Sequence, residues 1–247
     1  MSLRSLLILV KRDYAVQYSG AVFGIAWAVL QSFAQIGIFL LASWLLVRSE
    51  KSTASAAYSL TGLLFWIPIQ DMILKGNSIL SENRNLLKKS GIKMEYFLMI
   101  PMLQMAVQSA LIGVPVFIFL SVYSEISLMM IPAAYSVFLI TAAVIYPFVQ
   151  YLSLSNVILK DISPAVRIFL QGAFWSLPVL YVPSGSFQRI AQFHPLHFPL
   201  SVFRFLLTDE SFPGTQSGII FFCFCIISVL VFFISSLRYR KSIMDHL

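Results

Sequence analysis

The sequence predicts an all-α integral membrane protein with six transmembrane helices, an N-terminal amphipathic interface helix, and short outer interfacial helices between spans 5 and 6. Three observations predict it. Of 247 residues, 59% are hydrophobic and only 11% are charged, whereas soluble domains are roughly 45–50% apolar; the mean hydropathy is +0.85. The apolar runs are numerous, and several exceed the about 20 residues that a helix needs to cross a bilayer. The 17 Lys and Arg residues gather at the ends of those runs, so the net charge of +7 reads as a set of topology determinants rather than a face for nucleic acid. One polytopic domain over residues 1–247 fits the length.

Residues 1–19 open with Arg4 and an apolar patch that Lys11, Arg12 and Asp13 interrupt. The patch is too short for a signal-peptide core. Leu3, Leu6, Leu7, Val10 and Tyr14 recur at helical spacing, which predicts an interfacial helix with its basic side chains toward lipid headgroups. Spans 1–5 are expected within 20–182. The first, 20–47, ends at Arg48, Glu50 and Lys51. The second, 57–80, carries Pro68, Asp71 and Lys75. Asp71 and Lys75 lie one helical turn apart in the favourable acid-before-base order, which predicts a local ion pair; an ion or proton site is the alternative for a carboxylate in a span.

A polar island, 77–95, separates the second and third spans. Glu82, Arg84, Lys88, Lys89 and Lys93 do not enter lipid cheaply, yet Leu86, Leu87 and Ile92 supply an apolar face for a short amphipathic helix. Such an element suits docking against another protein, or serves only as the basic loop that fixes topology.

The third span, 96–123, contains Pro101 and Pro115 as candidate kinks. An outer turn at 124–127 leads to the fourth, 128–159, which is longer than about 30 Å of hydrocarbon requires and so must tilt, kink at Pro132 or Pro147, or protrude. Lys160 and Asp161 mark its end. The fifth, 165–182, is short and aromatic. Residues 183–214 form an outer interfacial segment broken by Pro183, Pro195, Pro199 and Pro213, with phenylalanines interleaved among Arg189, Arg204, His194 and His197. Residues 215–247 hold span 6 and a tail anchored by Arg238, Arg240 and Lys241. Under this layout thirteen of the 17 basic residues fall on one side, while Arg48, Lys51, Arg189 and Arg204 fall on the other, which predicts both termini in the cytosol.

Catalytic chemistry finds little support. No GxxxxGK(S/T) phosphate loop, HExxH zinc motif or GxSxG nucleophile elbow occurs in the sequence, so neither catalytic nor metal residues are assigned. His194 and His197 flank Pro195 without a nearby carboxylate and read as interfacial histidines. An intramembrane enzyme using Asp71, His194 and His197 is disfavoured, because the layout puts Asp71 toward the cytosol and the histidines outside. Cys223 and Cys225, two apart in an apolar run, read as core thiols. Phe23 and Trp27 share a face of the first span at i, i+4, and Phe174, Trp175 and Tyr181 crowd the fifth. These rings either face lipid or offer stacking surfaces to sugar rings.

Arg12-Asp13-Tyr14, Tyr18-Ser19-Gly20 and the run from Gly24 to Gln31 together resemble the opening of ABC-2 type polysaccharide export permeases. Asn77 to Lys89, Asn156 to Asp161, and Phe174 to Tyr181 resemble later segments of that family, so the likeness covers most of the chain. Lys160 stands where the family has Arg, losing a planar fork, and His194 stands where it has Asn. The resemblance implies a homodimer working with two copies of a separate P-loop ATPase subunit, which alone uses ATP and Mg; this chain needs no cofactor. It further implies ATPase docking through Glu82, Arg84, Asn85, Leu86, Leu87, Lys88 and Lys89, and a glycan path gated by Phe23, Trp27, Phe174, Trp175 and Tyr181. Lys11, Arg12 and Arg167 are the expected contacts for the diphosphate of a polyprenyl-linked polysaccharide, with plain headgroup anchoring as the alternative. The implied location is the bacterial cytoplasmic (inner) membrane, among membrane lipids and without nucleic acid.

Overall fold

The computed structural model describes residues 3–24, 26–46, 52–90, 92–123, 128–183, 186–208 and 210–242. Within them lie α1 (Leu3–Gln17), α2 (Ala26–Leu46), α3 (Ser52–Glu82), α4 (Arg84–Ser90), α5 (Met94–Tyr123), α6 (Ile131–Ile158), α7 (Ile162–Ser176), α8 (Ser186–Phe193), α9 (His197–Leu207) and α10 (Thr215–Ser242), with a single 3-10 turn at Leu128–Met130 before α6. The expected outer turn at 124–127 and the residues Arg48, Glu50 and Lys51 lie outside the described residues, as do the side chains of Leu3, Arg4, Lys89, Arg238, Arg240 and Lys241.

The fold is all-helical among the described residues, and four stretches are long and apolar enough to cross a membrane: Ala57–Glu82, Met94–Val122, Ile131–Ile158 and Thr215–Ser235. They mark a membrane-embedded protein. Pro68, Pro101, Pro115 and Pro147 all lie inside continuous helices, as membrane spans permit when neighbours satisfy the freed carbonyls.

α3 is the centre of the bundle. Leu63, Phe65, Trp66, Ile67, Ile69 and Met72 are all buried, so it is enclosed on every side, with α2, α5, α6, α7 and α9 packed around it. A helix apolar all round is one meant for such a position. Between helices in lipid, close approach matters more than hydrophobic drive, and two glycines of α3 provide it. A Cβ on Gly76 would collide with Val149 of α6, and one on Gly62 would collide with the carbonyl of Val179.

Two expected spans differ in form. The first begins at Ala26, because residues 18–24 make a turn with Gly20 at φ +82° and Gly24 at φ +50°, the left-handed region that favours glycine. The fifth stops at Ser176. At about 1.5 Å per residue its 15 residues reach about 22 Å, short of about 30 Å of hydrocarbon. The chain continues as a non-helical strap in which Leu177, Pro178 and Val179 are buried.

Arg204 explains the strap. Expected as an interfacial cation, it is instead 2% exposed. Its Nη1 donates to the Pro178 carbonyl at 2.8 Å, and its Nη2 donates to the carbonyls of Val179 at 2.8 Å and Tyr58 at 3.0 Å. The guanidinium also lies over the Tyr58 ring, 3.4 Å from its centroid. Tyr58 and Ser59 hydroxyls donate to the carbonyls of Pro178 and Leu180. α9, the strap and the start of α3 are thereby clamped, with the strap's carbonyls, which no helix satisfies, finding donors.

The cysteines are not core thiols. Cys223 is exposed and Cys225 half-buried on α10, a peripheral helix whose outward face is apolar from Ile219 to Ile234.

Candidate functional site

At the end of α3 away from the Arg204 clamp, a cavity of about 500 Å³ opens between α1, α2, α3, α5 and α7. Its walls follow from sequence spacing. Gln31 and Gln35 of α2 and Gln104 and Gln108 of α5 are amide pairs at i, i+4, and each pair presents one face to the cavity. Asp71, Lys75, Ser78 and Glu82 descend α3 along the same wall, while α1 contributes Arg12, Asp13 and Tyr14 and the turn after it contributes Tyr18.

The charges are arranged differently from the expected Asp71–Lys75 pair, which does not form. Lys75 Nζ lies 3.2 Å from Asp13 Oδ2 and 2.8 Å from Glu82 Oε2, so it forms two ion pairs. Asp13 is the better partner because α1 lays it, buried, against the α3 wall, where Gln104 Nε2 also donates to its Oδ2 at 2.9 Å. Asp71 Oδ2 instead accepts from Gln108 Nε2 at 2.7 Å, and the same amide donates to Ser32 Oγ at 2.8 Å. Arg12 Nη2 donates to Asn83 Oδ1 at 2.8 Å. Three cations (Arg12, Lys75, Arg167) and three carboxylates (Asp13, Asp71, Glu82) therefore line one cavity. Burial, then the neighbouring charges of Tyr18, Asp13 and Asp71, pushes the Tyr14 phenol up to about 12.

The N-terminal helix packs through Leu6, Leu9, Val10 and Asp13, one helical face. Leu7 and Ile8 are exposed at 51% and 61%, so the buried stripe is rotated from the one that spacing suggested. Of the three residues expected to meet a diphosphate, Arg12 and Arg167 line the cavity and exposed Lys11 does not. Arg167 is exposed and has no hydrogen-bond or ion-pair partner among the described residues.

The expected docking segment resolves into two faces. Asn83 makes the turn between α3 and α4, accepting from the backbone N–H groups of Leu86 and Leu87 at 3.0 Å. Leu86, Leu87 and Ile92 pack on a small core with Leu9, Val10, Ile79, Leu80 and Phe97, so the apolar face is used within the chain. Arg84, Asn85 and Lys88 are exposed on the other face, and Glu82 reaches back to Lys75.

The five aromatic residues fall into two groups. Phe23 and Trp27 meet edge to face at 5.7 Å beside the cavity end of α2, both exposed. Phe174 contacts Phe39 at 5.1 Å, Trp66 at 6.0 Å and Trp175 at 5.4 Å, and Tyr181 donates its hydroxyl to the Trp175 carbonyl at 2.7 Å. Trp27 and Phe39 are twelve residues apart on α2, about 18 Å along its axis.

Asn156, whose turn the sequence singled out, is buried and donates from Nδ2 to the Asn77 carbonyl at 3.1 Å; Ser163 Oγ donates to its Oδ1 and accepts from Asn77 Nδ2. It fastens the α6–α7 turn to α3. The following Lys160 and Asp161 are exposed. A second cavity, apolar and about 930 Å³, opens between α3, α6, α7 and α10, lined among others by Trp66, Phe148, Val166, Phe169 and Phe224.

On the outer segment, His194 Nδ1 accepts the Leu196 backbone N–H at 3.1 Å, which requires that nitrogen to be unprotonated. Burial, with His197 adding, lowers its pKa to about 4. His197 is lowered too, by burial and then by Arg204. Among the described residues no group of three or more His, Cys, Asp or Glu is arranged for a metal ion.

The sequence missed the Arg204 clamp, the Asp13–Lys75–Glu82 bridge and the Gln108–Asp71 bond. The glutamines at i, i+4 in apolar helices were the available signal for the last. The class defined by fold and site is a helical membrane protein with an open polar cavity beside its central helix. No family model matches the chain, and no curated protein matches it, so the likeness to export permeases rests on the quoted residues alone.

Proposed function

We propose that the chain is the membrane permease subunit of an ATP-driven exporter that moves lipid-linked polysaccharide, of the O-antigen, capsule or teichoic acid type, from the cytosol across the bacterial inner membrane. One observation carries the reading. The helices expected as the first and fifth spans, α2 and α7, leave polar groups exposed on the surface of the single chain: Gln31 on one, and Arg167 and Gln171 on the other. Polar groups of this kind face a bundle interior or water rather than lipid. A second copy of the chain closing over α2 and α7 would give them an aqueous path, continuous with the polar cavity, and would supply the homodimer that the resemblance implies.

In this reading α2 and α7 complete a six-span subunit with both termini cytosolic, α1 lies in the interface, and α8 and α9 lie on the outer side. Arg84, Asn85 and Lys88 form the polar surface for a separate P-loop ATPase, which supplies ATP hydrolysis. Leu86 and Leu87 hold that surface to α1 and α5 and act by positioning it. Arg167, with Arg12 lining the same cavity, meets the diphosphate as a charge-assisted contact. Phe23 and Trp27 offer an exposed edge-to-face pair to the sugar at the cavity end, and Phe174, Trp175 and Tyr181 form the second aromatic station.

The test is affinity purification of the tagged chain from its native membrane, with mass spectrometry and an ATPase assay. A stoichiometric P-loop ATPase that is lost on substituting Arg84, Asn85 and Lys88 is the expected result; no ATPase partner in mild detergent would sink the reading. The apolar cavity of about 930 Å³ favours a second reading, an exporter of a lipid or small apolar molecule. In that case ATPase activity rises when such compounds are added alone, whereas a glycan exporter responds to the lipid-linked glycan.

A further inference from the structure

We infer that Asp71, presented by Gln108, is a hydroxyl-reading site for the neutral sugar that adjoins the diphosphate; the inference rests on the proposed glycan export. The carboxylate is otherwise unexplained. Lys75, one turn away on the same helix, ignores it and pairs with Asp13 and Glu82. Asp71 Oδ2 is occupied by Gln108 Nε2 at 2.7 Å, and Oδ1 has no hydrogen-bond partner among the described residues. Gln108 is held in turn by Ser32 Oγ at 2.8 Å, so the carboxylate is fixed in orientation rather than free to swing.

The chemistry around it selects the ligand class. The cavity balances three cations against three carboxylates, and two of the cations already have partners in Asp13, Glu82 and Asn83. A highly charged group is therefore not the natural occupant of the space beside Asp71. Sugar hydroxyls both donate and accept, and a lining that mixes a carboxylate, the amides of Gln35 and Gln108, and the Tyr18 phenol meets both needs. A hydroxyl donating to an ionised carboxylate makes one of the stronger hydrogen bonds, so Asp71 supplies the discrimination and Gln108 positions it.

The experiment uses the full chain in lipid nanodiscs and two ligands, a polyprenyl diphosphate and the same lipid bearing one neutral N-acetylhexosamine. Wild type is expected to bind the sugar-bearing lipid about tenfold more tightly, equivalent to about 1.4 kcal/mol. Asp71→Asn is expected to abolish that advantage while the bare lipid still binds at least as tightly as to wild type, since a carboxylate has left the cavity that takes the diphosphate; that retained binding also certifies the fold. Asp71→Glu, which keeps the charge and displaces it by one methylene, is expected to do the same and serves if the first variant does not fold. An advantage that survives in either folded variant, or wild type that binds both lipids equally, overturns the site. Wild type that binds neither lipid overturns the glycan-export reading itself.

Discussion

Arg204, packed against α3 from α9, and Lys75, on α3 itself, are both cations, and the chain treats them in opposite ways. Arg204 is enclosed at 2% exposure and donates only to main-chain carbonyls. Lys75 is partly exposed, opens on a cavity of about 500 Å³ and is neutralised by two carboxylate side chains from different elements. Carbonyls cannot move without moving the fold, so the first arrangement is architecture. Side chains can exchange partners with water or a ligand, so the second arrangement can do work. The planar, forked guanidinium suits three carbonyls and the ammonium suits two point charges.

The comparison breaks most readily at the clamp. Arg204→Met leaves the Pro178, Val179 and Tyr58 carbonyls without that donor in a buried site, and a loss of about 3–5 kcal/mol is expected, comparable to removing one partner of a buried pair. Arg204→Lys recovers little, because one ammonium does not reproduce the fork. Gly62→Ala is expected to approach the same loss, since its methyl would collide with the Val179 carbonyl and the guanidinium. Thermal unfolding in detergent, read by size-exclusion fluorescence, measures all three; a shift of only a degree or two for Arg204→Met would refute the clamp.

The dry end of the molecule should also be sensitive to acid. The lowered pKa of His194, about 4 against an ordinary value of 6.5, means that the unfolded chain takes up a proton first as pH falls. Stability is full above about 6.5 and declines from there toward 4. The loss should approach about 2–3 kcal/mol at the acid end. His194→Gln should flatten the profile of melting temperature against pH over that window. An unchanged slope would mean that the Leu196 N–H cap does not depend on a neutral ring.

A smaller effect is expected at Lys75, because water reaches it. Lys75→Met leaves Asp13 and Glu82 facing the cavity without their cation, for a loss of about 1–2 kcal/mol that added salt partly restores. The double variant with Asp13→Asn should lose less than the sum of the two changes. Strict additivity would show that the bridge in the structure carries no coupling.

The contrast between the two ends also separates what sequence could tell from what it could not. Long apolar runs fixed the helical class and the four long spans, since each supplies the about 20 predominantly apolar residues that a bilayer crossing needs. The polar island was legible as a short amphipathic helix because Leu86 and Leu87 interrupt its polar run; Ile92 falls past the end of α4. Which way its apolar face turned was not, as the partners Leu9 and Val10 come from an element distant in sequence. Asp71 and Lys75 satisfied the local rule for an ion pair, and tertiary partners overrode it. Arg204 looked like any interfacial arginine, because carbonyl acceptors leave no trace in a sequence.

Arg167 provides the finest test, because stability and function should part there completely. It is exposed, on the cavity wall, and without a partner among the described residues, so Arg167→Gln should change stability by no more than about 0.5 kcal/mol. The same change should weaken binding of a bare polyprenyl diphosphate roughly tenfold if the guanidinium meets the diphosphate, with Arg167→Lys restoring only part of it because the bidentate fork is gone. Lys11→Gln is the control. Lys11 is equally basic but lies off the cavity, so headgroup anchoring predicts similar losses for both residues and a cavity contact predicts a loss for Arg167 alone.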